Sequence, residues 1–245
     1  MYYQKNTSME TSTIQKLKRR AGSLFEAKIL GTGRVLDVRF WQPGTLIEID
    51  LHLPQIDMTA WAEVPYIKFK VDALTYRDYT PSCWDAEIST CTIFVDAAHN
   101  GPGSNWARSL KKDDAVSYLK TGTSHQQPDA LKTVIALGDE SSLGHLLALQ
   151  QMTVPVTRFA GAVAMNDEGH SKQFGEYFRS PLQTILRKDK YGHNSLMEWV
   201  IGQPYTLHDV VFYITGNDTM VAQLRKMLKQ QGYASSQINV KGFWS

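Results

Sequence analysis

Residues 131–142, Leu131-Lys132-Thr133-Val134-Ile135-Ala136-Leu137-Gly138-Asp139-Glu140-Ser141-Ser142, decide the fold. Residues 131–137 read as a strand buried on both faces, because apolar residues run together instead of alternating with polar ones, and the run stops at Gly138. A helical stretch follows from Ser142 to about Gln151. The unit then recurs. Residues 157–165 are a second apolar run, followed by a helical stretch interrupted around Pro181 and Gly192. Residues 210–215 form a third run, ending at Gly216. Residues 219–231 carry Met220, Val221, Leu224, Met227 and Leu228 at helical spacing on one face, and Ile238-Asn239-Val240 close the chain as a last strand. Strands alternating with helices imply a parallel sheet with helical crossovers.

Upstream the pattern is different. Across residues 24–120, segments such as 25–30 and 46–51 alternate apolar and polar residues, and 66–71 and 88–95 add β-branched and aromatic runs. Gly31-Thr32-Gly33, Pro43-Gly44 and Pro81-Ser82 supply the turn chemistry expected between them. Short strands at this spacing predict an antiparallel barrel or sandwich. The polar, breaker-rich residues 121–128 mark the boundary. The expectation is a β-barrel domain over residues 1–121, with a short leading helix, and an α/β domain over residues 122–245.

Bulk properties exclude several function classes. The chain has 245 residues, 42% hydrophobic and 20% charged, enough for two compact cores. No apolar run approaches the roughly 18–20 residues that cross a bilayer, and the polar start lacks a secretory core, so no membrane insertion is expected. Cys83 and Cys91 match neither a disulfide framework nor a zinc spacing, which points to free thiols in a reducing, cytoplasmic setting. A net charge of +2 is too mild to indicate a nucleic-acid partner. The basic cluster Lys16, Lys18, Arg19 and Arg20 reads as the solvated face of the leading helix. No His-Glu-x-x-His, clustered Cys/His, Gly-x-Ser-x-Gly or phosphate-loop pattern occurs, so no metal site is expected.

Four stretches can carry chemistry. Arg77-Asp78-Tyr79-Thr80 offers a planar cation suited to phosphate, a flat ring and a small hydroxyl along an extended segment. Taken alone, it could equally be a strand edge. His99-Asn100-Gly101-Pro102-Gly103-Ser104-Asn105-Trp106 leads a glycine-permitted turn into a helix start, either an anion site or an ordinary cap. Gly138-Asp139-Glu140 and Thr215-Gly216 end two strands of the α/β half, where ligands of such sheets bind.

In this order and on this architecture, the four resemble the siderophore-interacting protein family, cytoplasmic flavin-dependent ferric-siderophore reductases of the ferredoxin-reductase-like superfamily. Arg77, Tyr79 and Thr80 match the family's Arg-x-Tyr-Thr signature. Ile93-Phe94-Val95, His99 and Gly101-Pro102-Gly103-Ser104-Asn105-Trp106-Ala107 match its next stretch, with Gly103 for the usual alanine. Gly138-Asp139-Glu140 match its Gly-Asp-Glu, and Gly242-Phe243-Trp244 stand where it has Gly-Tyr-Trp.

The resemblance implies a Greek-key, flavin-binding antiparallel barrel followed by a nucleotide-binding parallel α/β domain. It also implies an enzyme that uses FAD with NADH or NADPH as donor and a ferric siderophore as substrate. It implies that Arg77 pairs with flavin phosphates, that Tyr79 packs on the flavin, and that Thr80 hydrogen-bonds near the flavin N5. Asp78 and Val95 fall within the same cofactor-binding set. Gly101, Pro102, Gly103 and Ser104 would cradle the pyrophosphate, with His99 beside the nucleotide. Gly138, Asp139, Glu140, Thr215 and Gly216 would face the nicotinamide cofactor and the flavin, and Trp244 would lie beside the flavin or in core packing. Lys68 matches the family's lysine for an anionic siderophore, and Lys241 is the nearby replacement for a basic tail that does not follow Trp244. Gly216-Asn217 also departs from the family's Gly-Glu. No side chain is expected to act as acid or base. A monomer is expected, and a ferredoxin remains an alternative electron partner. Binding of flavin or siderophore without turnover is the other alternative.

Overall fold

The computed structural model describes residues 30–206 and 208–244. The leading helix, its basic cluster and all but Leu30 of the expected strand at 25–30 lie outside the described residues.

The first domain has seven strands: β1 (Gly31–Trp41), β2 (Leu46–His52), β3 (Pro65–Asp72), β4 (Thr75–Tyr79), β5 (Ser82–Asp85), β6 (Thr90–Asp96) and β7 (Ala115–Thr123). They pair antiparallel in the order β4-β3-β7-β1-β2-β6-β5. The last strand returns to lie between β1 and β3, the long connection of a Greek key. β3 shows the expected alternation, with Ile67, Phe69 and Val71 buried and their neighbours facing outward. The sheet curls around one core. Ile49 and Leu51 of β2, Ile67 and Phe69 of β3, Ile93 and Val95 of β6 and Tyr118 of β7 share it, and Tyr79 and Trp84 pack on it from the two outermost strands. The helix α1 (Pro102–Ser109) adds Ala107 and Trp106.

Gly31-Thr32-Gly33 is a strand start, not the expected turn. The reason is steric: a Cβ at Gly31 would enter the Tyr118 ring, and one at Gly33 would enter the Leu53 side chain. β7 also runs on through Thr121-Gly122-Thr123, paired with Pro65–Ile67, because Gly122 fits beneath the Tyr66 ring. Both thiols are free, Cys91 buried and Cys83 exposed.

The second domain alternates strands with helices: β8 (Thr133–Asp139), α2 (Leu143–Met152), β9 (Phe159–Met165), α3 (Glu168–Tyr177), β10 (Leu182–Leu186), α4 (His193–Ile201), β11 (Val210–Asn217), α5 (Asp218–Gln230) and β12 (Ile238–Trp244). The five strands are parallel in the order β10-β9-β8-β11-β12, so the winding reverses between β8 and β11. β8 is buried on both faces. Val134 and Ala136 enter one core, and Ile135 and Leu137 the other. The α5 face expected from spacing is the one that packs, through Met220, Val221, Leu224 and Leu228, and Asn217 caps the helix by accepting from the Thr219 and Met220 N–H groups. No helix among the described residues is long and apolar enough to cross a membrane.

The two domains share a core. Trp41, Leu46, Val64 and Phe94 of the barrel pack with Leu143, Leu146 and Leu147 of α2 and with Phe174 of α3. Polar bonds reinforce the joint: the Gln42 N–H donates to Gln173 Oε1 at 2.5 Å. Beneath it lies a buried ion pair. His170 Nδ1 is 2.7 Å from Glu140 Oε1, and the Asn166 N–H and Nδ2 donate to the same carboxylate at 2.5 and 2.7 Å.

Removing one partner of a buried pair leaves the other uncompensated. Glu140→Ala is therefore expected to lower the unfolding free energy by about 3–5 kcal/mol in urea denaturation. Burial by itself lowers the His170 pKa, but the bond to Glu140, with the Glu140 and Asp167 charges, outweighs it and holds the imidazole above its ordinary 6.5. A raised folded pKa contributes stability that is complete below the unfolded value and lost as pH rises through the folded one. Unfolding free energy measured against pH is accordingly expected to fall as pH rises above about 6.5, and Glu140→Gln to flatten that decline.

Candidate functional site

A cleft of about 920 Å³ opens where the barrel meets the carboxyl end of the parallel sheet. That is the size and place expected of a ligand site in an α/β protein. Distant segments line it, among them Lys68 of β3, β4 with Thr80, residues between Phe94 and Ser104, Ser124, His145 of α2, and the end of β12 from Lys241 to Trp244. Each of Lys68, Arg77, Asp78, Tyr79, Thr80, Val95, His99, Gly101, Pro102, Gly103, Ser104, Lys241 and Trp244 therefore reaches the same space, although their separation in sequence exceeds 170 positions.

β4 presents Arg77 and Tyr79 in alternation with Asp78. The Arg77 guanidinium donates to the Tyr76 carbonyl at 2.8 Å. The Tyr79 ring stacks on Trp106 of α1, 5.7 Å between centroids and 16° from parallel, and burial pushes its phenol up to about 12. Its hydroxyl sits where a Cβ at position 103 would go, which accounts for Gly103 in place of alanine. Tyr79 thus braces the helix start as well as lining the cleft.

That helix start suits an anion. Gly101 is its N-cap in extended conformation, no side chain caps it, and Pro102 at the first position has no N–H to satisfy. A Cβ at Gly101 would meet nothing, so this backbone faces open space. The Ser104 hydroxyl points inward, donating to the Asp96 carbonyl at 3.4 Å, which leaves the backbone to face the cleft. Burial pushes the Asp96 carboxyl up, and Ala98 N–H donates to it at 3.0 Å.

Gly138, Asp139, Glu140, Thr215 and Gly216 lie beneath the cleft and not on its wall. Asp139 joins the two strand ends at the switch point: it accepts from Ser141 Oγ at 2.5 Å and from Asn217 N–H at 2.9 Å, and burial raises its carboxyl. Gly216 has φ +129°, and a Cβ there would sit 2.6 Å from Asp139 Oδ1. The position needs glycine twice over. Ser141 in turn accepts from Trp244 Nε1 at 2.9 Å, and the Trp244 ring lies 5.5 Å from His99. These residues hold the cleft's aromatic rim in place. Glu140 is engaged by Asn166 and His170, as described above.

At the mouth, Lys68 Nζ is 2.5 Å from Asp78 Oδ1, so the expected substrate lysine is ion-paired. Among the wall residues that were not expected there, two carry buried polar groups. His145 is buried in α2, with Nε2 2.6 Å from Gln126 Oε1 and Nδ1 3.5 Å from Thr80 Oγ1. Burial first, and then the Lys241 charge, push it down to about 3. Ser124 also lines the cleft, and its hydroxyl has no partner among the described residues. A histidine interrupting the apolar run from Leu143 to Leu149 was the available signal for the first. Nothing in the sequence singled out the second.

Residues 131–245 match the model of the siderophore-interacting protein family. The fold is similar to that of the siderophore-interacting protein from Acinetobacter baumannii, with TM-score 0.71 and 14% identity over 88% of this chain and 90% of that one. It is similar to a siderophore utilization protein from T. fusca, with TM-score 0.69 and 17% identity over 88% and 92%. It is also similar to the ferredoxin reductase in carbazole 1,9a-dioxygenase, with TM-score 0.72 and 14% identity over 87% and 69%. No match was found among curated proteins. The match to the siderophore-interacting protein family thus covers the second domain, and these solved structures share the fold across both domains.

Proposed function

We propose that the chain is a flavin-dependent reductase that passes electrons from NADH or NADPH, through FAD, to ferric iron in a siderophore. One observation carries the reading: Arg77 to Thr80, an uncapped helix start and the β12 aromatics converge on one cleft beside the switch point of a parallel sheet.

The residues present fit FAD. The open backbone at Gly101, with the N–H groups of Gly103 and Ser104, suits a pyrophosphate, and Arg77 adds a cation with fork geometry. Thr80 and the Ser124 hydroxyl, which has no partner among the described residues, offer polar contacts to a ring system, and Phe94, Phe243 and Trp244 offer apolar ones. Bound flavin would supply the redox chemistry, taking a hydride and releasing single electrons. The chain's part is to orient and to screen. The α1 start and Arg77 would anchor the cofactor's charge. The Trp244 ring, tied through Ser141 to Asp139, would set where a nicotinamide can approach. No proton-transfer role at the reacting atoms is assigned to a side chain. Ferrous iron is held less well by hard oxygen ligands than ferric iron, so release would follow reduction.

A second reading, a reductase with a different acceptor such as a ferredoxin, is favoured by one observation. The Lys68 charge is balanced by Asp78, which weakens the pull on an anionic chelate.

Purified protein given FAD, NADH or NADPH and a ferric siderophore is expected to yield ferrous iron, followed with a trapping dye, faster than free flavin does. A rate no higher than that of free flavin would overturn the reading. Asp78→Asn unpairs Lys68. If anionic chelates pass this rim, kcat/KM for them is expected to rise about two- to fivefold at low salt and to lose that gain as salt increases, while neutral chelates stay unchanged. Equal behaviour of both chelates would favour the second reading.

A further inference from the structure

The α2 side of the cleft contains a short polar relay. His145 follows Gly144 in the first turn of α2. A Cβ at Gly144 would lie 2.9 Å from the Thr80 carbonyl and 3.6 Å from Phe94, so glycine lets the helix press against the end of the Arg77-Asp78-Tyr79-Thr80 motif. This brings His145 Nδ1 to 3.5 Å from Thr80 Oγ1. On the far side, Nε2 lies 2.6 Å from Gln126 Oε1. The Gln126 backbone is held, since its carbonyl accepts from Val64 N–H at 2.8 Å while Ser124 N–H donates to the Val64 carbonyl at 2.9 Å; its side-chain Nε2 has no partner among the described residues. Phe243 covers the ring at 5.6 Å, and Lys241 is the charged group bearing on it.

Burial keeps this imidazole neutral, with its pKa down to about 3. A neutral imidazole has one N–H and one lone pair. With the Gln126 amide oxygen facing Nε2, the arrangement that satisfies both contacts puts the proton on Nε2 and makes Nδ1 the acceptor of the Thr80 hydroxyl. We propose that His145 is a positioning residue: held by Gln126, it accepts the Thr80 O–H and thereby turns the Thr80 lone pairs toward the cleft. At this point the wall then favours a ligand that presents an N–H over one that presents a bare nitrogen.

The consequence for the cofactor rests on the flavin reading above. A reduced flavin carries N–H at N5, where the oxidised ring has only a lone pair. An acceptor fixed at Thr80 therefore favours the reduced form and raises the midpoint potential of bound FAD.

Two measurements test this. The first is ¹⁵N NMR of the histidine ring nitrogens in flavin-free protein, with His145 assigned by its loss in His145→Phe. His145 is expected as the Nε2–H tautomer, unchanged across about pH 5–8. An Nδ1–H tautomer, or titration within that range, overturns the assignment. The second is the midpoint potential of bound FAD in the wild type, His145→Phe, Thr80→Val and the double variant. Each single change is expected to remove about a tenfold preference for reduced flavin, a fall of about 30 mV for a two-electron couple, and the double variant to fall no further. Unchanged potentials, or falls that add in the double variant, overturn the link between His145 and Thr80. If the protein binds no FAD, the flavin reading fails by itself, and the tautomer still decides the role of His145.

Discussion

The contact on which the molecule depends is the close approach of α2 to the barrel. Gly144 lies against the Thr80 carbonyl, while Leu143, Leu146 and Leu147 enter a core with Trp41, Leu46, Val64 and Phe94. A bulkier residue at 144 would push the helix off the motif, and three things would move together. The cleft would widen, His145 would leave Thr80, and the turn Glu140–Ser142 after β8 would lose its place beside β6. Fully burying a single Leu stabilises by about 1.5–3 kcal/mol, so a shared interface of this kind holds the two domains in one arrangement rather than hinging them. A cofactor bound as proposed would touch both domains and would need that fixity, because orientation is most of what a protein contributes to such chemistry.

The fold was legible because both periodicities are clean. β8 has no polar alternation, and both of its faces are buried; β3 alternates, and only one of its faces is. The amphipathic face of α5 packed as its spacing required. The misreading of Gly31-Thr32-Gly33 is instructive. Glycine has two uses, freedom in turns and room for a neighbour, and single-sequence pattern cannot separate them. Here the neighbours are Tyr118 and Leu53, the first more than 80 positions away in the chain.

The site was legible in its outer layer and opaque in its inner one. Residues with recognisable chemistry in a recognisable order, from Arg77 to Ser104, meet in the cleft. Gly138, Asp139, Glu140, Thr215 and Gly216 were expected in contact with ligand because strand ends at a switch point commonly provide it. They lie one layer deeper, with their polar atoms mostly engaged by Ser141, Asn217, Asn166 and His170. The distinction between touching a ligand and holding the residue that touches it depends on side-chain partners contributed by other elements. Asn166 and His170 follow β9, and no spacing rule ties them to Glu140 across 26 and 30 positions.

Electrostatics reconcile this buried acidic layer with the anionic ligands proposed for the cleft. A pyrophosphate at the α1 start would stand near Asp96 and above Asp139, and two free carboxylates there would oppose it. Burial pushes both carboxyls up, and each accepts from a nearby N–H, which disperses what charge it retains. Glu140 meets His170, whose pKa is raised, so that pair approaches neutrality. At the mouth, Asp78 is balanced by Lys68. The field that remains across the cleft is then set by the uncapped helix start, Arg77 and Lys241. All three attract phosphate, and the acidic residues beneath can hold the strand ends together without repelling it.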